Sequence, residues 1–549
     1  MSQINIDSYS AKQCEVVTRW NNDPTKVGMS SAPSIGQERR IKQGILFEEN
    51  ILVELSSYWN GQIRDLRTLP RDERLLGTQD ALSKNTGLIL GSVLPRTSSG
   101  RVGSPDILVH LEDGWTCIDV KNHQLLKPGE EDILTSTLDE LAKGNSSVTL
   151  GLYAPAHTIE DVFQLAHYQM QLTELGLANK SGCAGILENS KKVVWINLNG
   201  PRLKRVEKSF LEEYIEAYLL RVKIAEHELL RISDVSIPSL VEPINQSECD
   251  ECQWREICGP ILLERDSISL LPGLNKLQAK KLIEAGIRTR AQLGKVDLLN
   301  LPVDPNFKSE LWTKWHDSAV SGYFDEIFLQ RDALSIDVPR ADIEIDIDME
   351  SYDDRVYLWG IYVTNKSSFK LDNGFIDRFS NFEELIDENS EIELFQKFWS
   401  WLSELQRSIS EEGLSVKYYV YSGDAAEYKH IRRLSNHLST SLAEDEIEVF
   451  LTSESWVDLR KVVEKSLVSP TNYKLKTVAV WAGHKWRNPD PGGDQSQVWY
   501  EQAVNGLLAA DRKRKQEVLE YNEDDVLATK FLREWLDTAN FRSIASVSI

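Results

Sequence analysis

The sequence is poor in cysteine, in methionine and in positive charge. Six cysteines and four methionines among 549 residues do not make a disulfide-stapled secreted scaffold, and a reducing compartment is expected. No apolar run approaches the roughly 18 residues that a membrane helix needs. The segment Met1–Cys14 lacks the basic stretch and apolar run of a secretory signal, so a cytoplasmic chain with no membrane partner is expected. Lys and Arg total 62 against 85 Asp and Glu, a net charge of −23. That argues against a protein coating nucleic acid through bulk charge, because phosphate contacts are built from Lys and Arg. It leaves room for a local basic groove around an acidic metal site. With 41% hydrophobic and 27% charged residues, collagen-like and wholly disordered chains are excluded. At about 150 residues per domain, the length allows roughly three to four units.

Apolar residues recur at helical spacing from Glu38 to Trp59, at Ile41, Ile45, Leu46, Ile51, Leu52 and Leu55. Two short apolar runs follow, Ile107–Leu111 and Trp115–Val120, joined by Glu112-Asp113-Gly114. Asp-Gly between such runs predicts a hairpin. The polar stretch Gln124–Ser147 reads as an insertion or loop. A helix over Thr158–Leu175, a strand over Lys192–Leu198 and a helix over Leu203–Ile232 come next. Residues 265–320 read as a helix–turn–helix pair with glycine at the turns. From about Ser335 an acidic strand, Ile343–Glu350, and an antiparallel partner, Val356–Val363, open an alternating α/β segment.

Asp106 begins the first hairpin strand, while Asp119 and Lys121 share one face of the second. Two carboxylates hold Mg²⁺, which prefers oxygen ligands. A lysine beside them offsets charge building on a phosphorane, and Glu48 on the preceding helix completes the metal shell. Gln164 and Tyr168 stand four apart on one helical face. Three cysteines, Cys249, Cys252 and Cys258, lie at metal-ligand spacing, with Cys14 a possible fourth.

Glu48, Pro105-Asp106 and Asp119-Val120-Lys121 resemble the PD-(D/E)XK nuclease pattern, and Gln164–Tyr168 resembles the QxxxY motif of its RecB-type branch. Three clustered cysteines plus one far upstream resemble the iron–sulfur arrangement of RecB-like nucleases, including CRISPR-associated exonucleases. The resemblance implies a structural [4Fe–4S] cluster on Cys14, Cys249, Cys252 and Cys258, with Zn²⁺ the alternative. Leu271-Pro272-Gly273-Leu274 and Glu284-Ala285-Gly286-Ile287 resemble helix–hairpin–helix motifs. Their turns either present N–H groups to phosphate, with Lys276, Lys280, Lys281, Arg288 and Arg290 nearby, or serve as a packing adaptor.

Alternation places Asp346, Asp348 and Glu350 on one face of the acidic strand, which is costly unless cations neutralise the cluster or water reaches it. Downstream, Tyr521 and Asp525 are four apart in a segment that opens a helix. The DxE strand, a middle acidic motif and YxxxD resemble DEDDy exonucleases. Within Tyr421–Glu427 the spacing favours Glu427 over Asp424 as the middle ligand, a departure from the usual aspartate; Asp458 has no assigned role. Tyr473–Thr477 and Trp499-Tyr500 resemble YprB-type RNase H-like domains, found behind RecB-like nucleases. A solvated acidic strand and an N-terminally acidic helix are the plainer reading, and the basic run Asp511–Lys515 either guides a phosphate backbone or forms a solvated face.

The expected architecture is α/β: a restriction-endonuclease-like core over 1–262, a helical bridge over 263–332, and an RNase H-like domain over 333–549. The resemblance implies a Mg²⁺- or Mn²⁺-dependent nuclease acting on nucleic acid, DNA ahead of RNA, on single strands or ends. Glu48, Asp106 and Asp119 would bind metal at one site, with Lys121, Gln164 and Tyr168 completing it. Asp348, Glu350, Glu427 and Asp525 would bind metal at the other, with Tyr521 positioning water. The alternatives are a nucleic-acid-binding scaffold, or a subunit of a helicase–nuclease or defence complex, because these residues contain no GxxxxGK[ST] ATPase motif.

Overall fold

The computed structural model describes all residues except 1–3, 144–145, 154–157, 201–207, 235, 299–308, 425, 439–442, 489–492, 507–508 and 548. The chain divides into two compact units, one of 1–243 with 251–258 and one of 244–250 with 259–549. No helix among the described residues is long and apolar enough to cross a membrane.

Among the described residues, the first unit is built on eight strands: β1 (Ile63–Asp65), β2 (Leu88–Leu90), β3 (Ile107–Leu111), β4 (Gly114–Val120), β5 (Leu126–Thr137), β6 (Ser147–Tyr153), β7 (Cys183–Leu187) and β8 (Lys192–Asn197). They form one sheet in the order β1-β2-β3-β4-β7-β8-β5-β6. The expected hairpin is β3–β4, antiparallel, with Ile107 opposite Ile118, and β7 lies parallel to β4. Alternation divides the hairpin between two cores. Ile107, Val109 and Ile118 meet Ile51, Leu52 and Leu55 of the helix Ile35–Tyr58. Leu108 and Cys117 face the other way, toward Leu165, Ala166 and Leu172 of the helix Thr158–Glu174. Each leucine buried here stabilises the unit by about 1.5–3 kcal/mol. The polar stretch Gln124–Ser147 is not a loop. Its described part holds β5, paired with β6 and β8, and a short helix, Leu138–Ala142. Many β5 side chains are exposed, so its alternation carried little apolar signal.

The second unit contains β9 (Phe328–Leu329), β10 (Ile343–Tyr352), β11 (Arg355–Asn365), β12 (Gly374–Ser380), β13 (Val416–Val420), β14 (Trp456–Asp458) and β15 (Leu467–Val468). Five of these form a sheet in the order β12-β11-β10-β13-β14, and β15 pairs with β9. β10 runs antiparallel to β11 and parallel to β13, which is parallel to β14. The glycine-turned segment also lies in this unit: helices Lys276–Glu284 and Arg290–Gly294 pack around Leu282, Leu293, Trp312 and Trp315. Gly273 and Gly286 take φ of +72° and +90° at its turns, a backbone region that favours glycine. Arg290 is held by Asp266 at 2.6 Å.

Odd-numbered residues of β10, Ile343, Ile345 and Ile347, pack with Phe395, Phe398 and Leu402 of the helix Glu388–Glu411. The even-numbered face carries Glu344, Asp346, Asp348 and Glu350, and against it lies the helix Ala509–Thr538. Tyr521 therefore sits in the middle of a 30-residue helix rather than opening one. The dipole explanation of its acidic neighbours fails, because that effect is confined to the first turn. Of the basic run, the side chains of Asp511 and Arg512 lie outside the described residues, while Lys513 and Arg514 pair with Glu517 on their own helix.

Arg533 is the counter-charge to the first half of the acidic strand. Wholly buried, it pairs with Asp346 at 2.8 Å and with Glu344. Arg340 and Lys366 also reach Glu344, at 2.6 and 2.8 Å. Although burial raises it, these cations hold the Glu344 carboxyl down at about 2. Replacing Arg533 by Met leaves buried carboxylates without their main partner, and is expected to destabilise the protein by about 3–5 kcal/mol in urea unfolding. Adding Asp346→Asn should recover part of that loss, and a loss below about 1 kcal/mol would contradict this role.

Candidate active sites

In the first unit, Glu48, Asp106, Asp119, Lys121, Gln164 and Tyr168 all line one cavity of about 560 Å³. One step beyond the Ile107–Ile118 pair, the hairpin brings Asp106 level with Asp119. Asp106 accepts a hydrogen bond from the Val120 N–H at 2.8 Å. Asp119 lies on the face directed at the helix Thr158–Glu174, where the Gln164 amide donates to it at 3.3 Å. Lys121 stands 2.5 Å from Asp119 and 3.8 Å from Asp161, and donates to Gln164 Oε1 at 3.0 Å. The Gln164 amide also meets the Tyr168 hydroxyl at 3.1 Å, as four-residue helical spacing requires.

Burial, then the charges of Asp119 and Glu48, push the Asp106 carboxyl well above the usual range. Burial and Asp119 raise Glu48 as well. Burial alone would lower Lys121, but Asp119 and Asp161 outweigh it and hold the ammonium above its ordinary value. A set of carboxylates that disfavour one another's ionisation suits a hard divalent cation. Sequence reasoning passed over Ser8, Tyr9 and Arg71, which line the same cavity, and the His123–Asp161 pair at 2.8 Å. Nothing in local periodicity marks these residues.

In the second unit, ligand oxygens of Asp348, Glu350 and Asp525 lie within 4.8 Å of one another, beside a cavity of about 510 Å³ that Tyr521 and Asp494 also line. Parallel strands place acidic residues at their C-terminal ends or just beyond, the position where open α/β sheets gather ligand sites. Asp348 and Glu350 are on β10, Glu427 opens the helix after β13, and Asp458 ends β14. The charge of Glu427 contributes to raising Asp348. Its Oε2 is buried with no hydrogen-bond partner among the described residues. Asp424, the runner-up, is exposed and engaged with Lys461 at 2.5 Å and Arg432 at 3.8 Å. Asp458 caps the helix Leu459–Ser466 and accepts from Ser422 N–H at 3.0 Å.

Three of the four metal-ligand candidates have a fixed donor that sequence reasoning missed. Asn522 donates to Asp348 at 2.8 Å, Ser496 to Glu350 at 2.7 Å, and the Trp486 indole to Asp525 at 2.6 Å. Asn522 is wholly buried, and a Cβ on Gly360 would come within 1.6 Å of its oxygen, so a side chain there would displace the amide that holds Asp348. Lys476 stands over the Tyr521 ring at 4.9 Å. Burial and the surrounding carboxylates raise the Tyr521 phenol, keeping it protonated. The orphaned Glu427 oxygen and the close approach of three carboxylates fit a divalent metal.

The cysteines stand differently. Cys14, Cys252 and Cys258 belong to the first unit and Cys249 to the second. Burial raises the Cys258 thiol, with a contribution from Cys252 and Cys14, and Trp20 Nε1 donates to its sulfur at 3.2 Å. Among the described residues, no cysteine group reaches the mutual approach of the carboxylates.

An α/β sheet with acidic residues at its parallel strand ends, covered by a helix that carries a further carboxylate, is an arrangement compatible with metal-assisted phosphodiester hydrolysis. Residues 342–537 match a family model described as the RNase H superfamily, and the C-terminal domain is RNase H-like. No curated protein and no solved structure matches the chain.

Burial, with Asp525, pushes Glu350 up to about 8; burial, with Asp458, does the same for Glu427. Both start from 4.5 in the free side chain. Each therefore stabilises the metal-free fold fully below about pH 4.5, and that stabilisation is lost as pH rises through about 8. A cation needs the ionised forms, so the sign reverses for binding. Between about pH 6.5 and 8.5, Mn²⁺ affinity measured by calorimetry is expected to rise with proton release, while the metal-free Tm falls more steeply than in Glu350→Gln. Mn²⁺ affinity independent of pH would contradict the assignment.

Proposed function

We propose that the chain is a divalent-metal-dependent nuclease with two hydrolytic centres, acting on single strands or ends of nucleic acid, DNA ahead of RNA. The observation that carries this reading is the convergence of Asp348, Glu350 and Asp525 in a segment matched by the RNase H superfamily. Mg²⁺ or Mn²⁺ held by these carboxylates would supply Lewis-acid polarisation of the phosphodiester and help to activate water.

In the second centre Asp348, Glu350, Glu427 and Asp525 are the metal ligands. Asn522, Ser496 and Trp486 orient three of them, a role that outer-shell donors commonly fill. Tyr521, a neutral phenol that lines the same cavity as Asp525, positions the attacking water. In the first centre Glu48, Asp106 and Asp119 are the ligands. Lys121, kept charged by Asp119 and Asp161, faces the negative charge that develops on the phosphorane. Gln164 ties Lys121 to Asp119, and Tyr168 steadies Gln164.

The wider reading is a restriction-endonuclease-like PD-(D/E)XK core of the RecB type over 1–262, a helix–hairpin–helix bridge over 263–332 and a DEDDy-type exonuclease domain over 333–549. A helicase or defence-system partner would supply the motor that these residues lack. The structural metal on Cys14, Cys249, Cys252 and Cys258, [4Fe–4S] or Zn²⁺, rests on their spacing and on the resemblance, and no reaction step passes through it.

End-labelled single-stranded DNA and RNA incubated with Mg²⁺ or Mn²⁺ are expected to be cleaved. Lys121→Ala and Asp525→Ala should each lower kcat by at least about a hundredfold at their own centre. Binding without cleavage would replace the nuclease with a scaffold or a partner-dependent subunit.

Anaerobically purified protein is expected to be brown, and Cys252→Ala to lose the colour. A colourless preparation carrying stoichiometric zinc rejects the iron–sulfur assignment.

A further inference from the structure

Two ammonium groups converge on a single amide oxygen in the first unit. Lys121 reaches Gln164 Oε1 from the sheet at 3.0 Å, and Lys12 reaches the same atom from the N-terminal segment, also at 3.0 Å. Their charges are balanced differently. Lys121 has Asp119 and Asp161 beside it, whereas Lys12 makes no ion pair among the described residues and hydrogen-bonds a neutral amide. From this juxtaposition we propose that Lys12 is a phosphate-binding residue of the first centre, exchanging the Gln164 oxygen for a phosphate oxygen of a polynucleotide backbone. The inference rests on the hydrolytic reading of that cavity.

The segment carrying Lys12 is pinned from both sides. Ile6 is wholly buried and bridges to Arg101. The Ser8 hydroxyl meets Tyr168 at 3.1 Å. Arg221 donates to the carbonyls of Ser10 and Gln13, at 3.1 and 2.7 Å. The Tyr9 ring lies 4.4 Å from the Lys12 ammonium, and Asp7, Ser8 and Tyr9 line the cavity. Lys12 is thus held in place before any ligand arrives, which reduces the entropy lost on binding.

A neutral amide is a poor partner for two cations. Burial and the neighbouring Lys121 both act against the charge of Lys12, and an anion placed between the two ammonium groups would relieve that strain. Charge-assisted hydrogen bonds are roughly twice as strong as neutral ones, so a phosphate oxygen outcompetes Gln164 for Lys12. The released amide oxygen remains with Lys121, whose link to Asp119 is unaffected. Arg71 lines the cavity beside Lys121 and Gln164 and adds positive charge there.

The test uses the 549-residue chain with Asp525→Asn silencing the second centre. Binding of a fluorescent single-stranded oligonucleotide is followed by anisotropy against NaCl concentration, and cleavage kinetics are measured beside it. Lys12→Ala is expected to reduce the slope of log K against log salt by roughly 0.7, the contribution of one phosphate contact on a single strand. KM should rise about tenfold with kcat nearly unchanged, and Lys12→Arg should restore the slope. An unchanged slope with a reduced kcat assigns Lys12 to packing and overturns the proposal. If Lys121→Ala and Asp119→Asn leave cleavage intact, the hydrolytic reading of the cavity fails and the inference with it. If those two abolish cleavage while Lys12→Ala retains slope and KM, only the assignment of Lys12 fails.

Discussion

Strand β10 places Glu344, Asp346, Asp348 and Glu350 on one face of a sheet, and a helix must cover that face. Four carboxylates at alternating positions repel one another at a spacing set by the strand itself. Burying them requires a counter-charge for each or a proton in its place. Arg533 meets the first two, and its position on the helix Ala509–Thr538 sets where Tyr521, Asn522 and Asp525 come to rest. The eight residues from Asp525 to Arg533 advance about 12 Å along the helix. The four residues from Asp348 back to Glu344 span about 13 Å of strand. The two lengths match, so one helix neutralises the first half of the strand and completes an acidic centre on the second.

The two centres share this logic with different parts. Each gathers carboxylates near strand ends next to a covering helix, and each fixes them with donor side chains from outside the strands. In the first unit the fixing group is Gln164, whose amide nitrogen reaches Asp119 and Tyr168 and whose oxygen accepts from two lysines. In the second, separate donors, Asn522, Ser496 and Trp486, take one carboxylate each. The first centre therefore carries its own cation within reach of the carboxylates. The second presents a phenol, and most of its unbalanced acidity falls to protons or metal.

Much of this was legible from local pattern. The Asp-Gly hairpin, the shared face of Asp119 and Lys121, the pairing of Gln164 with Tyr168, and the DxE strand all follow from periods of 2 and 3.6. Those periods also brought Asp106 level with Asp119 across a short turn. They failed at β5, where exposure on a polar strand erased the alternation, and at Tyr521, where an acidic stretch inside a long helix looked like a helix start.

What the sequence determined by itself is which residues share a face of a strand or helix, because backbone geometry fixes that within a few residues. Only the tertiary structure decided which faces meet. The pairing of Arg533 with Glu344 spans 189 positions, Asn522 with Asp348 spans 174, and Lys12 with Gln164 spans 152. The contact of Asn522 with Gly360 is likewise invisible in either segment alone. Such pairs are set by how helices pack on a sheet, and local periodicity carries no record of packing between distant segments.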